Sequence, residues 1–301
     1  MQLYSPAEIG KFRQAGKIAA QAREYGRSLI TVGASLREVS DKIEKKIAEL
    51  GAKPSFPAQL SRNDIAAHYC AGAEDQTIFQ EGDVVKLDCG AEIDGYVTDT
   101  AITIDLARDQ RNAKLVEASR DALAQAIALV RPGVMTGAIG KIIGETINAY
   151  GFHPVRNLCG HGVGKYIVHQ PPSIPNFDTA DRTVLKEGMV IAIEPFASTG
   201  AGMIYELDDA EVFMMSGKKP VRSLITRAVL KDIEEFHGLP FTPRWLTTKH
   251  SLPKIHFALR ELEALSILRS YPPLVDKNHG LVSQHEHTLL ITADAAEVLT
   301  R

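Results

Sequence analysis

The sequence predicts an α+β fold of two pseudo-symmetric halves, each made of helices followed by strands, with a helical subdomain inserted late in the chain. Three observations predict it. Residues 33–54 lie over residues 133–154 at a constant offset of 100 (133 − 33), matching Gly33 with Gly133, Val39 with Ile139, Ile43 with Ile143, Ile47 with Ile147, Gly51 with Gly151 and Pro54 with Pro154. "EGDVVKLD" (81–88) resembles "EGMVIAIE" (187–194) at an offset of 106 (194 − 88). Between about Gly200 and Tyr271 the repeat stops and the composition changes. Solenoid units run to roughly 20–50 residues, so so long a period marks two similar halves packed around a pseudo-two-fold and not a stack.

Each element follows in order. The two matched stretches are amphipathic helices with apolar residues at i, i+4 and i+8, entered after a turn glycine and stopped by a glycine then a proline. "KLDCGAEIDGYVTDTA" (86–101) reads as two strands joined at Asp94-Gly95, a dipeptide that favours a two-residue hairpin turn. "MVIAIE" (189–194) is an apolar strand that Pro195 prevents from continuing in a central ladder. "VRSLITRAVLKDIEEF" and "KIHFALRELEALSILRS" have helical spacing, punctuated by Pro240, Pro243 and Pro253. Strand patterning returns at "GLVSQHEHTLLIT" (280–292), which should rejoin the sheet of the first domain. The expected division is a catalytic domain of residues 1–204 and 272–301 around an inserted subdomain of residues 205–271.

Composition narrows the function. The 301 residues are 45% hydrophobic, with a net charge of −3 and a pI near 6.4. That balance offers no basic field for nucleic acid or an anionic lipid surface. The N-terminus lacks an apolar targeting segment, and no run of 18 apolar residues crosses a membrane, so the reading is cytoplasmic. Cys70, Cys89 and Cys159 are widely spaced, without a C-x-x-C pair, and are expected to be buried reduced thiols.

The chemistry begins with acids where a strand wants apolar residues. With Asp94-Gly95 as the turn, Ile93 pairs with Tyr96, Gly90 sits opposite Asp99, and Asp88 lies diagonally on the same face, about 7–8 Å away. Two like charges on an enclosed face repel unless a cation lies between them, and Gly90 leaves room for one. Parity also admits Glu92. Glu194 ends an apolar strand, and Glu286 interrupts the returning strand on the face of Val282, Thr288 and Leu290. In "CGHGVG" (159–164), glycines flank His161 and allow close approach of backbone and imidazole to a ligand. Two Asp, two Glu and a neutral His carry about −4 formal charge, which nearly balances two divalent cations, and oxygen-rich ligands favour Mn, Fe, Co or Zn in an open site.

Together, "DCGAEIDGYVTDTA", "CGHGVGKYIVH", "IEPFASTG" and "QHEHT" resemble, in order and spacing over nearly the whole chain, the motifs of the methionine aminopeptidases. The resemblance implies the pita-bread fold. The 92 residues from Glu194 to Glu286 (286 − 194) leave room for the insertion of the type 2 enzymes, and the short N-terminal region resembles the archaeal form. It further implies that Asp88 holds one metal, Asp99 and Glu286 bridge two, and His161 and Glu194 hold the second. Family chemistry then has activated water attack the first peptide carbonyl, with Glu194 moving its proton as general base and then acid. His68 and His169 match the histidines that hydrogen-bond the scissile amide, and Phe56 and Tyr271 match positions near the methionine side-chain pocket. The implied partners are nascent polypeptide N-termini, met at the ribosome by a monomeric enzyme. His285 departs from the pattern, since an apolar or aromatic residue usually precedes the bridging Glu, and strand alternation points it away from the metals. Cys89 should likewise face the core. The alternatives are a prolidase-like enzyme, which carries a sizeable extra N-terminal domain, and a pita-bread binding module that has lost its ligands.

Overall fold

The computed structural model describes residues 4–301. Helix α1 (Pro6–Leu29) precedes the repeat, and its start is encoded locally: Ser5 accepts from the Glu8 N–H while Glu8 accepts from the Ser5 N–H, a capping box with Pro6 in the first turn. α2 (Leu36–Glu49), β1 (Lys53–Pro54), β2 (Gln59–Arg62), β3 (Ile65–Ala67) and the hairpin of β4 (Val84–Ile93) and β5 (Tyr96–Asp105) complete the first half. The second half runs through α3 (Ala113–Leu129), α4 (Thr136–Ala149), β6 (His153–Pro154), β7 (Cys159–Gly164), β8 (Ile167–Pro175), β9 (Val190–Ile193) and β10 (Phe196–Ser198).

The repeat extends to individual hydrogen bonds. Gly33 and Gly133 both adopt left-handed backbone, φ 88° and 89°, where any side chain is strained. Gly33 donates to Phe79 O and Gly133 to Leu185 O, each at 2.9 Å. α2 and α4 follow, and their isoleucines, Ile43 and Ile47 against Ile143 and Ile147, are sealed in two separate cores. A third cluster, including Phe12, Val97, Val163 and Val190, forms where the halves meet.

After β11 (Ile204–Glu206) the chain leaves the repeat. β12 (Phe213–Met215), α5 (Leu224–Ile233), α6 (Pro243–Leu246), α7 (Leu252–Ala264) and β13 (Leu268–Ser270) surround their own core of Phe213, Val229, Ile233, Phe241, Ile255 and Leu262. The helix expected over 254–270 is shorter. α7 ends at Ala264, Ser266 turns at φ 53°, and residues 268–270 pair with β12 as a strand. The Ser266 N–H bonds to Glu263 O and the Ile267 N–H to Leu262 O, a C-terminal turn that satisfies the last carbonyls while keeping Ile267 and Leu268 in the same core.

β14 (Leu274–Asp276), β15 (Val282–Gln284), β16 (Glu286–Ile291) and β17 (Ala296–Val298) close the chain. The large sheet runs β1-β4-β5-β16-β9-β7-β8. β16 therefore rejoins the first half through β5, as the sequence predicts, and also pairs with β9 of the second. Pro195 and His285 break their two strands at the same level, so β10 and β15 leave to pair in a separate small sheet. Glu194 and Glu286 flank that break.

Candidate metal centre

The hairpin has the register read from its turn. Asp94 and Gly95 both take positive φ, 50° and 89°, and Ile93 pairs with Tyr96, Gly90 with Asp99 and Asp88 with Ala101. Cys89 points the opposite way into the core. The expected vacancy over Gly90 is not there. A Cβ on Gly90 would lie 2.1 Å from Ser55 Oγ and 2.7 Å from the Phe56 ring, so the missing side chain admits that loop and not a cation. Glu92 accepts from the Gly95 N–H, which places it at the turn and away from the other acids.

The second half brings an imidazole and a carboxylate to Asp99. His161 Nε2 lies 3.7 Å from Asp99 Oδ2 and 3.5 Å from Glu194 Oε1. The glycines beside His161 serve its neighbours more than any ligand: a Cβ at Gly160 would meet Ala192 O at 2.4 Å, and one at Gly162 would meet Pro171 O at 2.5 Å. They let β7 pass between β8 and β9.

Glu286 is positioned by threonines that join β5 to the closing strands. The Asp99 N–H donates to Thr288 Oγ1, whose hydroxyl donates to Asp99 O, both at 2.8 Å. Thr100 donates to Glu286 O at 2.9 Å, and Thr103 donates to Gln284 O at 2.7 Å. Ligand atoms of Asp99, His161 and Glu286 all fall within 4.8 Å of one another.

These groups fit a divalent metal site. Asp88 Oδ1, Asp99 Oδ1 and both Glu286 oxygens are sealed from solvent without a hydrogen-bond donor. Burial, reinforced for Asp99, Glu194 and Glu286 by neighbouring carboxylates, holds all four acids above the usual carboxylate range. Unpaired buried oxygens of this kind are costly until a cation occupies the space between them. Burial also lowers His161 to about 3, so its ring is neutral and able to ligate at neutral pH.

A cavity of about 310 Å³ opens on the centre, lined by Asp88, Asp99, His161 and Glu194 and by Phe56, His68, His169 and Tyr271. Glu286, 1% exposed, lies buried behind it. His68 has φ 67°, rare outside glycine, and its N–H donates to Gln59 Oε1 at 2.9 Å. Burial pushes His68 to about 4 and also lowers His169, whose ring stands 4.3 Å from that of His161. His68 packs edge-on to Tyr271 at 5.8 Å.

Several neighbours escape the sequence reading. Gln284 donates to Glu194 Oε2 at 3.4 Å, and its place two residues before Glu286 was the available signal. Arg269 and Gln59 line the cavity without any such signal. Cys70 and Cys89 are buried and unpaired as expected, whereas Cys159 is exposed on the cavity wall, because it begins β7 at the open edge of the site. His285 faces away as expected, its Nδ1 2.8 Å from the Ser119 hydroxyl on α3.

Metallopeptidase family M24 matches residues 10–293. This chain belongs to that family. Its membership implies divalent metal ions, and Asp99, His161 and Glu286 form a cluster that could hold one. The chain is 44% identical over 292 residues to a methionine aminopeptidase of Archaeoglobus fulgidus, covering 97% of this chain and 98% of that protein. Among solved structures it resembles the methionine aminopeptidase of Thermotoga maritima, at 26% identity and a TM-score of 0.75, over 100% of this chain and 99% of that one. A thermophilic Arx1, 18% identical with a TM-score of 0.85 over 98% and 91% of the two chains, shares the fold alone. The architecture is thus the pita-bread fold of the M24 peptidases. No helix of the M24 chain is long and apolar enough to cross a membrane, among the described residues.

Proposed function

We propose that this protein removes the N-terminal methionine from peptides and nascent proteins by metal-assisted hydrolysis of the first peptide bond. The observation that carries the reading is the set of sealed, donorless carboxylate oxygens with His161 at the base of one cavity, in a chain similar to methionine aminopeptidases over its full length.

Asp88 would hold one divalent ion, His161 and Glu194 a second, and Asp99 and Glu286 would serve both, the ions being drawn from Co, Mn, Fe or Zn. Bound there, such ions supply Lewis-acid polarisation and a lowered water pKa. The protein does the rest. Glu194, with Gln284 steadying Oε2, takes the proton of the attacking water and returns it to the leaving amine. His68 and His169, kept neutral by burial, donate N–H groups to the scissile amide and to the oxygen on which charge develops. Phe56 and Tyr271 bound the space for the methionine side chain.

The elements between residues 205 and 271 form the insertion of a type 2 enzyme, supported by their separate apolar core. The setting is cytoplasmic, with a monomer acting on N-termini as they leave the ribosome. The deciding experiment is hydrolysis of Met-Ala-Ser against Ala-Pro-Ala by metal-stripped protein re-supplied anaerobically with Mn, Fe, Co and Zn in turn. Metal-dependent release of methionine from the first peptide alone is the expected result. Cleavage of the second, or silence on both with every metal, overturns the proposal.

A further inference from the structure

Glu92 is the hairpin acid that the metal centre leaves unused. Its side chain is 5% exposed, with Oε2 accepting from the Gly95 N–H at 2.5 Å. Among the described residues, Oε1 has no hydrogen-bond donor and no Lys, Arg or His nitrogen lies within 4.0 Å of the carboxylate. Lys53 is its partner across the β1–β4 ladder, yet it is exposed and beyond that distance. Unlike the Asp99 and Glu286 oxygens of the metal centre, Glu92 Oε1 is not sealed and opens on the space beside it.

This one lines a cavity of about 360 Å³ walled by Tyr166, Phe236, His237 and Trp245. Tyr166 and His237 stand 4.8 Å apart and Phe236 and Trp245 5.4 Å apart, centroid to centroid. The other acids there are already engaged. Lys249 lies 2.8 Å from Asp232 and 3.2 Å from Glu235, and His250 lies 2.5 Å from Asp232. Among the described residues, Glu92 and the exposed Lys53 are the charged groups of this cavity without an ion-pair partner, and the aromatic faces beside Glu92 attract cations.

We propose that this cavity binds a small organic cation, an ammonium group paired with Glu92 whose hydrocarbon part packs on Phe236 and Trp245. Aromatic walls select a weakly hydrated alkyl- or arylammonium over a metal ion, which demands several oxygen ligands. Lys53 at the rim opposes the ligand and lowers its affinity. The site is separate from the metal centre, although Pro240 lines both cavities.

Trp245 is the only tryptophan of the chain, so its fluorescence reports this cavity directly. The full chain, stripped of metal so that hydrolysis plays no part, is titrated with benzyltrimethylammonium, with benzyl alcohol and benzoate as neutral and anionic comparisons. A saturable change with the cation alone is expected. Glu92→Gln, which keeps an acceptor for the Gly95 N–H, should weaken binding about tenfold with an unchanged melting temperature. Lys53→Met should tighten it. Equal binding of benzyl alcohol, unchanged affinity in Glu92→Gln, or no saturable change up to about 10 mM ligand overturns the assignment.

Discussion

The two halves share a scaffold and differ in how they deliver acids to its centre. In the first half, β4 and β5 are consecutive, joined by two residues and paired without interruption from Val84–Asp105 to Ile93–Tyr96. In the second, β9 finds its partner in β16, and the chain between them builds a separate apolar core before returning. One half therefore places two carboxylates through a local turn, and the other depends on a long-range pairing locked by threonines. Similar folds need not carry similar chemistry: Asp88 lies in the middle of β4 whereas Glu194 directly follows the end of β9, Gln284 serves both carboxylates, and only Glu194 has an imidazole 3.5 Å away.

The largest expected effect tests that asymmetry. Glu194→Gln should lower kcat about 10²–10⁴-fold while the thermal melt stays cooperative; near-normal turnover would remove Glu194 from its role. His68→Ala should reduce kcat far more than it reduces stability, and the reverse pattern would make His68 a packing residue.

Metal removal sharpens the comparison through pH. In the stripped protein, burial holds Asp88 at about 7, above its unfolded value near 3.8. The folded state then binds more protons at Asp88 than the unfolded one between those values, so the contribution of Asp88 to stability is fully present below about pH 4 and is lost as pH rises through about 7. Adding a divalent ion should flatten or reverse that slope in denaturant titrations. An identical slope with and without metal would dissociate the acids from ion binding.

Thr288→Val breaks the lock between β5 and β16 directly. Removing both hydrogen bonds to the Asp99 backbone should cost about 2 kcal/mol in urea unfolding, with a matching loss of metal affinity. The smallest effects test the symmetry itself. Gly33→Ala and Gly133→Ala each force a side chain into left-handed backbone with no neighbour within 4 Å, so both should cost about 1 kcal/mol, and equally. Clearly unequal costs would mean that the two turns are not equivalent.

Much of this was legible in the chain because it is set locally. The Asp94-Gly95 turn fixes the hairpin register, and the register fixes which face Asp88 and Asp99 share. The repeated glycines and isoleucines announce both helices and the pseudo-two-fold, and Pro195 marks where β9 must end. Other features depend on residues far apart in sequence. The space over Gly90 is filled by Ser55 and Phe56, the glycines around His161 answer to β8 and β9, and Glu92 faces rings contributed by Tyr166 and by residues 236–245. By itself the sequence determined the repeat, the hairpin and the identity of the acids, since turn geometry and strand alternation act over a few residues. Only the tertiary structure decided which acids gather around His161 and which one faces a cavity of its own, because side-chain surroundings are set by whichever distant segments close packing brings against them.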